Sequence, residues 1–162
     1  MPPAEFAATL PHHITSAGVL VADDQHRILM LRQAHGYPGH PAWWQIPGGL
    51  SDPDETPPAT ALRELREEAG VLHHHPLLPL AVDYRTLDQD GWGPVVDFTF
   101  TTDPVPAGHP VRLSPEHDTF AWRTAQEWLS YRQPLQRNWF KSIAAAHRSS
   151  VPAFLLDGRP MA

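Results

Sequence analysis

Three glutamates within one short stretch of the chain have the spacing needed to act together. Glu64, Glu67 and Glu68 stand at positions i, i+3 and i+4, so in a helix their side chains converge on one face. Three carboxylates within one turn repel one another, and a hard divalent cation such as Mg²⁺ relieves that repulsion while binding the phosphates of a substrate. A solvated acidic helix face is the simpler alternative, because glutamate is a good helix former. The carboxylates by themselves leave both interpretations open.

The residues around the glutamates predict the helix that must position them. Thr56 is suited to the N-cap, Pro57 and Pro58 to the first turn, and Gly70 to the C-terminal end. Leucine and alanine side chains occupy another face of the same helix, which suits packing on a sheet. The sequence therefore predicts an amphipathic helix that carries its glutamates and its apolar side chains on different faces.

Residues beside the glutamates complete the candidate site. A short aromatic strand ends at Gly48 and Gly49, where a glycine backbone can approach the helix closely enough for a carbonyl to supply a further oxygen ligand. Arg63 lies next to the carboxylates, where it could orient Glu55 or hold a carboxylate in place.

The order of apolar runs and breakers predicts strands in hairpins with helices toward the C-terminus. Two apolar runs, 16–22 and 27–32, flank a turn cluster and predict a hairpin. The other predicted elements are strands at 77–87, 94–102 and 119–122, helices at 125–131 and 135–147, and a short edge strand at 154–156. This order predicts a mixed α/β sandwich and not a parallel doubly wound sheet. We divide the chain into an N-terminal arm (1–13), one domain (14–148) and a C-terminal tail (149–162).

Composition narrows the functional class. The 162 residues make one ordinary domain, and 41% hydrophobic with 19% charged residues fits neither the disordered nor the membrane class. The absence of cysteine removes disulfides, thiolate metal sites and thiol nucleophiles, and favours a cytoplasmic protein. Twelve basic against eighteen acidic residues give a net charge of −6, which argues against a nucleic-acid-coating surface. An acidic protein that handles phosphates needs a divalent cation.

The whole segment from Gly49 to Val71 carries a more specific signal than the glutamates alone. It resembles the Nudix box, GX5EX7REUXEEXGU with U an aliphatic residue, and every specified position is filled. Residues 44–49 are similar to the strand and turn that usually precede that box. The resemblance implies a Nudix-type α/β/α sandwich with a mixed sheet and a central catalytic helix. It also implies a hydrolase that uses Mg²⁺ or Mn²⁺ to cleave a diphosphate by attack of water at phosphorus.

The resemblance also implies roles for individual residues. Glu64 and Glu68 would ligate the metal, with Glu67 and the Gly48 carbonyl completing the shell. In the family the general base comes from the box or from a later acidic loop, and residues 114–122 look like that loop. The implied catalytic residues are therefore Arg63, Glu64, Glu67, Glu68 and Glu116, and the structural residues of the motif are Gly49, Glu55 and Gly70. His117 and Asp118 are assigned to the loop without a role.

Substrate recognition is less constrained by the sequence. The aromatic residues near the box could stack on a base, and the predicted substrate-binding residues are Arg32, Tyr37, Trp43 and Trp92. The expected substrate is a small-molecule nucleoside di- or triphosphate, or a nucleoside diphosphate derivative. Two alternatives stay open: a prenyl or sugar diphosphate, or a catalytically silent ligand sensor on the same fold. Neither nucleic acid nor a membrane is an expected partner, and a homodimer through the arm or the tail stays open.

Overall fold

Among the residues that the structure describes, four strands precede the helix that carries the glutamates and five follow it. The computed structural model describes residues 1–36, 38–39, 41–86, 93–131 and 134–161, without the side chains of residues 134 and 135. In chain order the elements are α1 (Pro3–Ala7), β1 (Ile14–Leu20), β2 (Ile28–Gln33), β3 (Trp44–Gln45), β4 (Gly48–Leu50), α2 (Pro57–Ala69), β5 (Leu78–Arg85), β6 (Val95–Thr101), β7 (His117–Arg123), α3 (Ala125–Leu129), α4 (Pro134–Ser149), β8 (Ala153–Leu156) and β9 (Arg159–Pro160).

The strands form two sheets between helical layers. The larger sheet has the order β4-β1-β6-β5-β8-β9, with β1/β6 and β5/β8 parallel and its other pairs antiparallel. The smaller sheet, β3-β2-β7, is antiparallel. Helix α2 packs its Leu65 against Val19 and neighbouring side chains, whereas Trp128 of α3 and Phe140 of α4 pack with Leu20 on the opposite side. The mixed sheet with helices on both faces is the predicted α/β arrangement.

The first predicted hairpin forms only at its turn. Val21 accepts a backbone hydrogen bond of 2.9 Å from Leu29, but β1 then pairs with β4 and β6 while β2 pairs with β3 and β7. The carboxylate of Asp23 organises the turn by accepting bonds from the amides of Gln25 and Arg27. The two strands therefore diverge into different sheets, which corrects the expectation of one continuous hairpin.

Helix α2 has the predicted boundaries. It runs from Pro57 to Ala69 after Thr56, and Gly70 ends it in the left-handed conformation at φ 66°. The Thr56 side chain makes no capping hydrogen bond. The two prolines that follow explain how the helix starts without that bond, because neither has an N–H that needs an acceptor.

Outside these elements, the described residues add a few features. The arm contains the short exposed helix α1, and β8 in the tail pairs in parallel with β5. The predicted turn at 88–91, between β5 and β6, lies outside the described residues. Among the helices that the structure describes, none is long and apolar enough to span a bilayer.

Candidate active site

Glu68 is the most deeply buried of the three glutamates on α2. Its relative exposure is 4%, and its Oε2 accepts a hydrogen bond of 2.8 Å from the backbone N–H of Gly48 in β4. Gly48 pairs with Gly18 of β1, and a Cβ on Gly48 would lie 2.7 Å from the Gly18 Cα. Glycine therefore allows β4 to lie close to β1, and this close pairing sets the position from which the amide reaches Glu68.

Glu64, one turn earlier on α2, lies against the next glycine of β4. A Cβ on Gly49 would lie 2.8 Å from the Glu64 Cδ, so glycine leaves the space that this carboxylate occupies. The Glu64 side chain is 13% exposed, whereas that of Glu67 is 52% exposed. Two of the three carboxylates thus lie against the glycine strand, and the third is at the solvent side.

Arg63 connects several groups at the base of the site. Its guanidinium donates two hydrogen bonds to the Glu55 carboxylate, from Nε at 2.9 Å and from Nη2 at 3.0 Å. It also donates to Glu64 Oε1 at 2.8 Å and to the Leu50 carbonyl at 3.0 Å, and it lies 3.3 Å from Glu67 Oε2. The Arg63 bonds, together with those from the Thr60 hydroxyl and the Asp52 amide, lower the pKa of Glu55 to about 2. Arg63 therefore fixes both the loop before α2 and the orientation of Glu64.

The loop that leads into β7 is fastened to the C-terminal end of α2. The amide of Arg112 donates to the Ala69 carbonyl at 2.8 Å, and the amide of Ser114 donates to the Glu68 carbonyl at 3.4 Å. Gly70 allows this contact, because a Cβ at that position would lie 2.9 Å from the Arg112 Cβ. Docking of the loop therefore brings the residues after Ser114 next to Glu68.

Glu116 and His117 are the residues that this loop delivers. One potential ligand atom from each of Glu68, Glu116 and His117 lies within 4.8 Å of the other two. His117 is 4% exposed, and its Nε2 lies 3.7 Å from Glu68 Oε1. Glu116 is exposed at the mouth of the group. Carboxylates from the helix and from the later loop therefore meet in space although they are far apart in the chain.

Burial of carboxyl groups dominates the electrostatics of the site, because it disfavours their charged form. Burial raises the pKa of Glu68 to about 8, and the charges of Glu64 and Glu116 add to the rise while the Gly48 amide opposes it. Burial also raises the pKa of Glu64, although its bond from Arg63 acts in the opposite direction. The cost of ionising these groups would fall if a cation lay beside them.

The donor set fits a divalent cation. Several carboxylate oxygens converge at the edge of the glycine strand, and oxygen donors of this kind are what Mg²⁺ and Mn²⁺ bind. Arg63 neutralises the Glu64 side of the cluster, whereas the Glu68 carboxylate lies beside the Gly48 amide and the His117 imidazole. Burial lowers the pKa of that imidazole, His117, so it brings no reliable positive charge of its own.

A cavity of about 440 Å³ opens beside the carboxylates. Gly48, Gly49 and Leu50 form part of its wall, and Trp43 and Trp139 lie elsewhere on its lining. Since Gly48 also contacts Glu68, the cavity and the carboxylate cluster share the same strand. A substrate bound in the cavity could therefore present a phosphate group to the glutamates.

The cavity also contains two buried carboxylates from neighbouring strands. Asp83 of β5 lies directly opposite Asp97 of β6, and they are 2% and 8% exposed. Asp97 accepts from the Ser16 hydroxyl at 2.5 Å and lies 3.1 Å from Arg85 Nη2. Asp83 accepts from the Gly158 amide at 3.0 Å, and burial raises its pKa. This part of the cavity therefore offers hydrogen-bond acceptors.

The predicted substrate-binding residues have different positions. Trp43 lines the cavity, and its indole N–H donates to Gln45 Oε1 at 3.0 Å. Arg32 is not among the lining residues, and it lies 3.6 Å from Asp118 on the neighbouring strand β7. Tyr37 and Trp92 lie outside the described residues.

Sequence reasoning gave no role to three residues that the structure places at the site. His117 is expected in a loop, but it begins β7 and is buried against Glu68. Asp83 and Asp97 each interrupt an otherwise apolar run. An acidic residue within a strand whose other residues are apolar indicates a functional position, because acids are seldom buried. Their alignment across two strands depends on the register, which the sequence alone does not give.

Parts of this chain are similar in sequence to known proteins. A "CMP-5'-(N-acetyl-N-hydroxy-3-aminopropyl)phosphonate hydrolase" from Streptomyces rubellomurinus is 39% identical over 66 residues, which are 38% of this chain and 32% of that protein. A "MutT-like protein" from Streptomyces ambofaciens is 36% identical over 69 residues, which are 43% of this chain and 41% of that protein. The matches therefore cover less than half the length of either relative.

The fold is also shared with a solved structure. The NUDIX domain of Shewanella oneidensis NrtR, complexed with ADP ribose, superimposes with a TM-score of 0.67 at 18% identity, over 93% of this chain and 99% of that one. This likeness confirms the fold. The family model described as NUDIX domain matches residues 12–153. Since that match covers most of the chain, the protein belongs to the Nudix family.

Proposed function

We propose that this protein is a divalent-metal-dependent hydrolase that cleaves the pyrophosphate linkage of a nucleotide. The reaction would convert a nucleoside diphosphate linked to a group X, together with water, into a nucleoside monophosphate and phosphorylated X. The observation that carries this proposal is the buried Glu68 carboxylate, held by the Gly48 amide and grouped with Glu116 at the edge of a cavity. Such a group of acids is suited to phosphoryl chemistry with a cation.

The proposed cation is Mg²⁺ or Mn²⁺, held by Glu64, Glu67, Glu68 and the Gly48 carbonyl. When bound, it would neutralise the negative charge that develops on the phosphate oxygens. Arg63 would act as a positioning residue, because its bonds keep Glu64 oriented toward β4.

Glu116 is the proposed general base. Its carboxylate would accept a proton from the attacking water, which requires an ionised group within hydrogen-bond reach of that water. Glu116 is exposed, and one of its ligand atoms lies within 4.8 Å of one on Glu68. It is therefore close to the buried carboxylates and open to water.

The nucleoside would occupy the cavity next to the glycine strand. Trp43 would stack on the base, and Asp83 and Asp97 would accept hydrogen bonds from its amino groups. The relative from Streptomyces rubellomurinus has a name that refers to a CMP-linked compound, and cytosine carries an exocyclic amino group. Its name supports a nucleotide substrate for this chain.

The experiment that tests the function is hydrolysis of a substrate panel by the purified protein. The panel would contain nucleoside triphosphates, nucleoside diphosphate sugars and alcohols, and prenyl and sugar diphosphates, each with Mg²⁺, with Mn²⁺ and with EDTA. We expect metal-dependent release of a nucleoside monophosphate from at least one nucleotide, and ¹⁸O from labelled water in one product. Turnover of the non-nucleotide diphosphates alone would overturn the nucleotide assignment. No turnover by folded, metal-binding protein would favour a ligand sensor.

A further inference from the structure

His117 is held in one orientation by a chain of hydrogen bonds that begins at Trp43. The indole N–H of Trp43 can only donate, and it donates to Oε1 of Gln45 at 3.0 Å. The Gln45 amide group must therefore turn its NH₂ toward His117, whose Nε2 lies 3.4 Å away. Because the NH₂ is a donor, we assign the lone pair of the imidazole to Nε2 and the proton to Nδ1.

The Nε2 atom of His117, which carries the lone pair, lies beside the acidic side chains of α2. Nε2 lies 3.7 Å from Glu68 Oε1, which is too long for a hydrogen bond. Two atoms that each bind the same ion at about 2.1 Å are about 3 to 4 Å apart. A separation of this size therefore suits two ligands of one cation, and the proposed base Glu116 has a carboxylate oxygen within 4.8 Å of both residues.

His117 is buried, so it is not a surface histidine that water can hydrate. The residue is 4% exposed, and its Nδ1 has no hydrogen-bond partner among the residues that the structure describes. In the assigned tautomer this nitrogen carries the proton, so a cation can bind the ring only through Nε2. The 3.4 Å contact with Gln45 is long, so the imidazole gives up little when a cation replaces it.

We propose that His117 is a metal ligand, which binds the cation of the active site through Nε2 together with Glu68. The inference rests on the proposed function, because it concerns the cation that the hydrolase would use. It adds one nitrogen to a site otherwise built from oxygen donors. Imidazole nitrogen suits first-row transition ions, whereas Mg²⁺ favours oxygen ligands. The site then prefers Mn²⁺ or Co²⁺ to Mg²⁺ at equal concentration.

The direct test is pulsed electron paramagnetic resonance on the whole protein loaded with less than one equivalent of MnCl₂. A histidine nitrogen bound to Mn²⁺ produces ¹⁴N modulation of the electron spin echo. We expect this modulation in the wild-type protein and its loss in His117→Gln. The control is His12→Gln, which removes an exposed histidine from the arm and should leave the modulation unchanged. Wild-type protein that binds Mn²⁺ without ¹⁴N modulation would overturn the proposal, and this result needs no variant.

A second measurement protects the test against a variant that folds poorly. Isothermal titration with CoCl₂ and MgCl₂ gives the affinity of each ion for the wild type, for His117→Gln and for His117→Asn, each first checked by circular dichroism. We expect the Co²⁺ affinity to fall at least about tenfold in both variants and the Mg²⁺ affinity to change less than threefold. Equal losses for the two ions would contradict a nitrogen ligand and indicate a packing role.

These readouts separate the inference from the proposed function. Hydrolysis of nucleotides by a protein without ¹⁴N modulation would remove His117 as a ligand and leave the hydrolase in place. Modulation without turnover of any substrate would support the metal ligand and contradict the hydrolase.

Discussion

The backbone amide of Gly48 donates a hydrogen bond of 2.8 Å to Oε2 of Glu68, across twenty residues of sequence. This bond ties the glycine strand to the helix face that carries the acids. It leaves Oε1 of the same carboxylate facing His117 at 3.7 Å. One buried side chain therefore connects the strand that borders the cavity with the loop that delivers Glu116.

The first prediction concerns the pH dependence of stability in the metal-free protein. Burial raises the pKa of Glu68 to about 8 from its ordinary 4.5, so the folded state holds this proton more tightly than the unfolded state. The contribution of Glu68 to the free energy of unfolding is therefore most favourable below about pH 4.5, and it is lost as the pH rises to about 8. Glu68→Gln removes that loss, which we expect to be a few kcal/mol.

Urea unfolding in EDTA at pH 5, 6.5 and 8 measures this effect as the difference between the variant and the wild type. Taking the difference cancels the contributions of other titrating groups. We expect Glu68→Gln to gain stability relative to the wild type as the pH rises, and added Mn²⁺ to stabilise the wild type alone. If the difference in the free energy of unfolding stays constant from pH 5 to 8, the pKa of Glu68 is not raised in the folded protein.

Arg63 should support both stability and activity. Arg63→Ala breaks two hydrogen bonds to Glu55 and one to Glu64, so we expect a loss of about 2 kcal/mol in the free energy of unfolding. Activity should fall about 10- to 100-fold, because Glu64 loses its orientation. Urea unfolding and steady-state kinetics measure the two effects. The matched control is Arg66→Ala, which changes an exposed arginine on the same helix. Equal effects of the two variants would contradict the role of Arg63 in holding Glu55 and Glu64.

Gly70 should be needed both for its backbone conformation and for the space beside it. Its φ is 66°, and a Cβ would lie 2.9 Å from the Arg112 Cβ. Gly108 has φ 78° but nothing within 4 Å of such a Cβ, so Gly108→Ala bears only the backbone cost, about 1 kcal/mol. We expect Gly70→Ala to lose more stability than Gly108→Ala, and to lose activity because the loop with Glu116 shifts. Thermal melts and turnover rates that match in the two variants would contradict this docking.

Asp83 should influence which base the cavity accepts. In Asp83→Asn the Oδ1 can still accept from the Gly158 amide, while the other carboxylate oxygen becomes an NH₂ donor. Preference for amino-bearing bases, measured as the ratio of kcat/KM for ATP over ITP and for CTP over UTP, should fall about tenfold. Asp103→Asn changes an exposed aspartate outside the cavity and should leave both ratios alone. An unchanged ratio in Asp83→Asn would place the base elsewhere.

The sequence predicted what depends on neighbouring residues. The bounds of α2 follow from Thr56, the two prolines and Gly70, and the convergence of its glutamates follows from helix geometry. The hairpin expected at 16–32 was wrong in its pairing. The Asp23 turn is a local feature, but the partners of β1 lie far along the chain, 30 to 34 positions later in β4 and 81 positions later in β6.

The unexpected parts of the site depend on contacts between distant segments. His117 has polar neighbours in the sequence, which predict a loop, yet docking of residues 112–114 onto the end of α2 buries it. Asp83 and Asp97 face each other only because β5 and β6 pair in that register. Neither relationship leaves a periodic pattern in the chain.

The central claim is that the buried carboxylates of α2 form the metal-dependent centre of a pyrophosphohydrolase. The most direct test compares release of nucleoside monophosphate by the wild type, Glu68→Gln and Glu5→Gln at equal protein concentration. Each protein is assayed over a range of Mg²⁺ or Mn²⁺ concentrations and with EDTA. Glu5 is exposed in the arm helix and serves as the matched control. We predict metal-dependent turnover by the wild type and Glu5→Gln, and a fall of at least about a hundredfold in Glu68→Gln. Turnover in EDTA, or full activity in folded Glu68→Gln, would contradict the account.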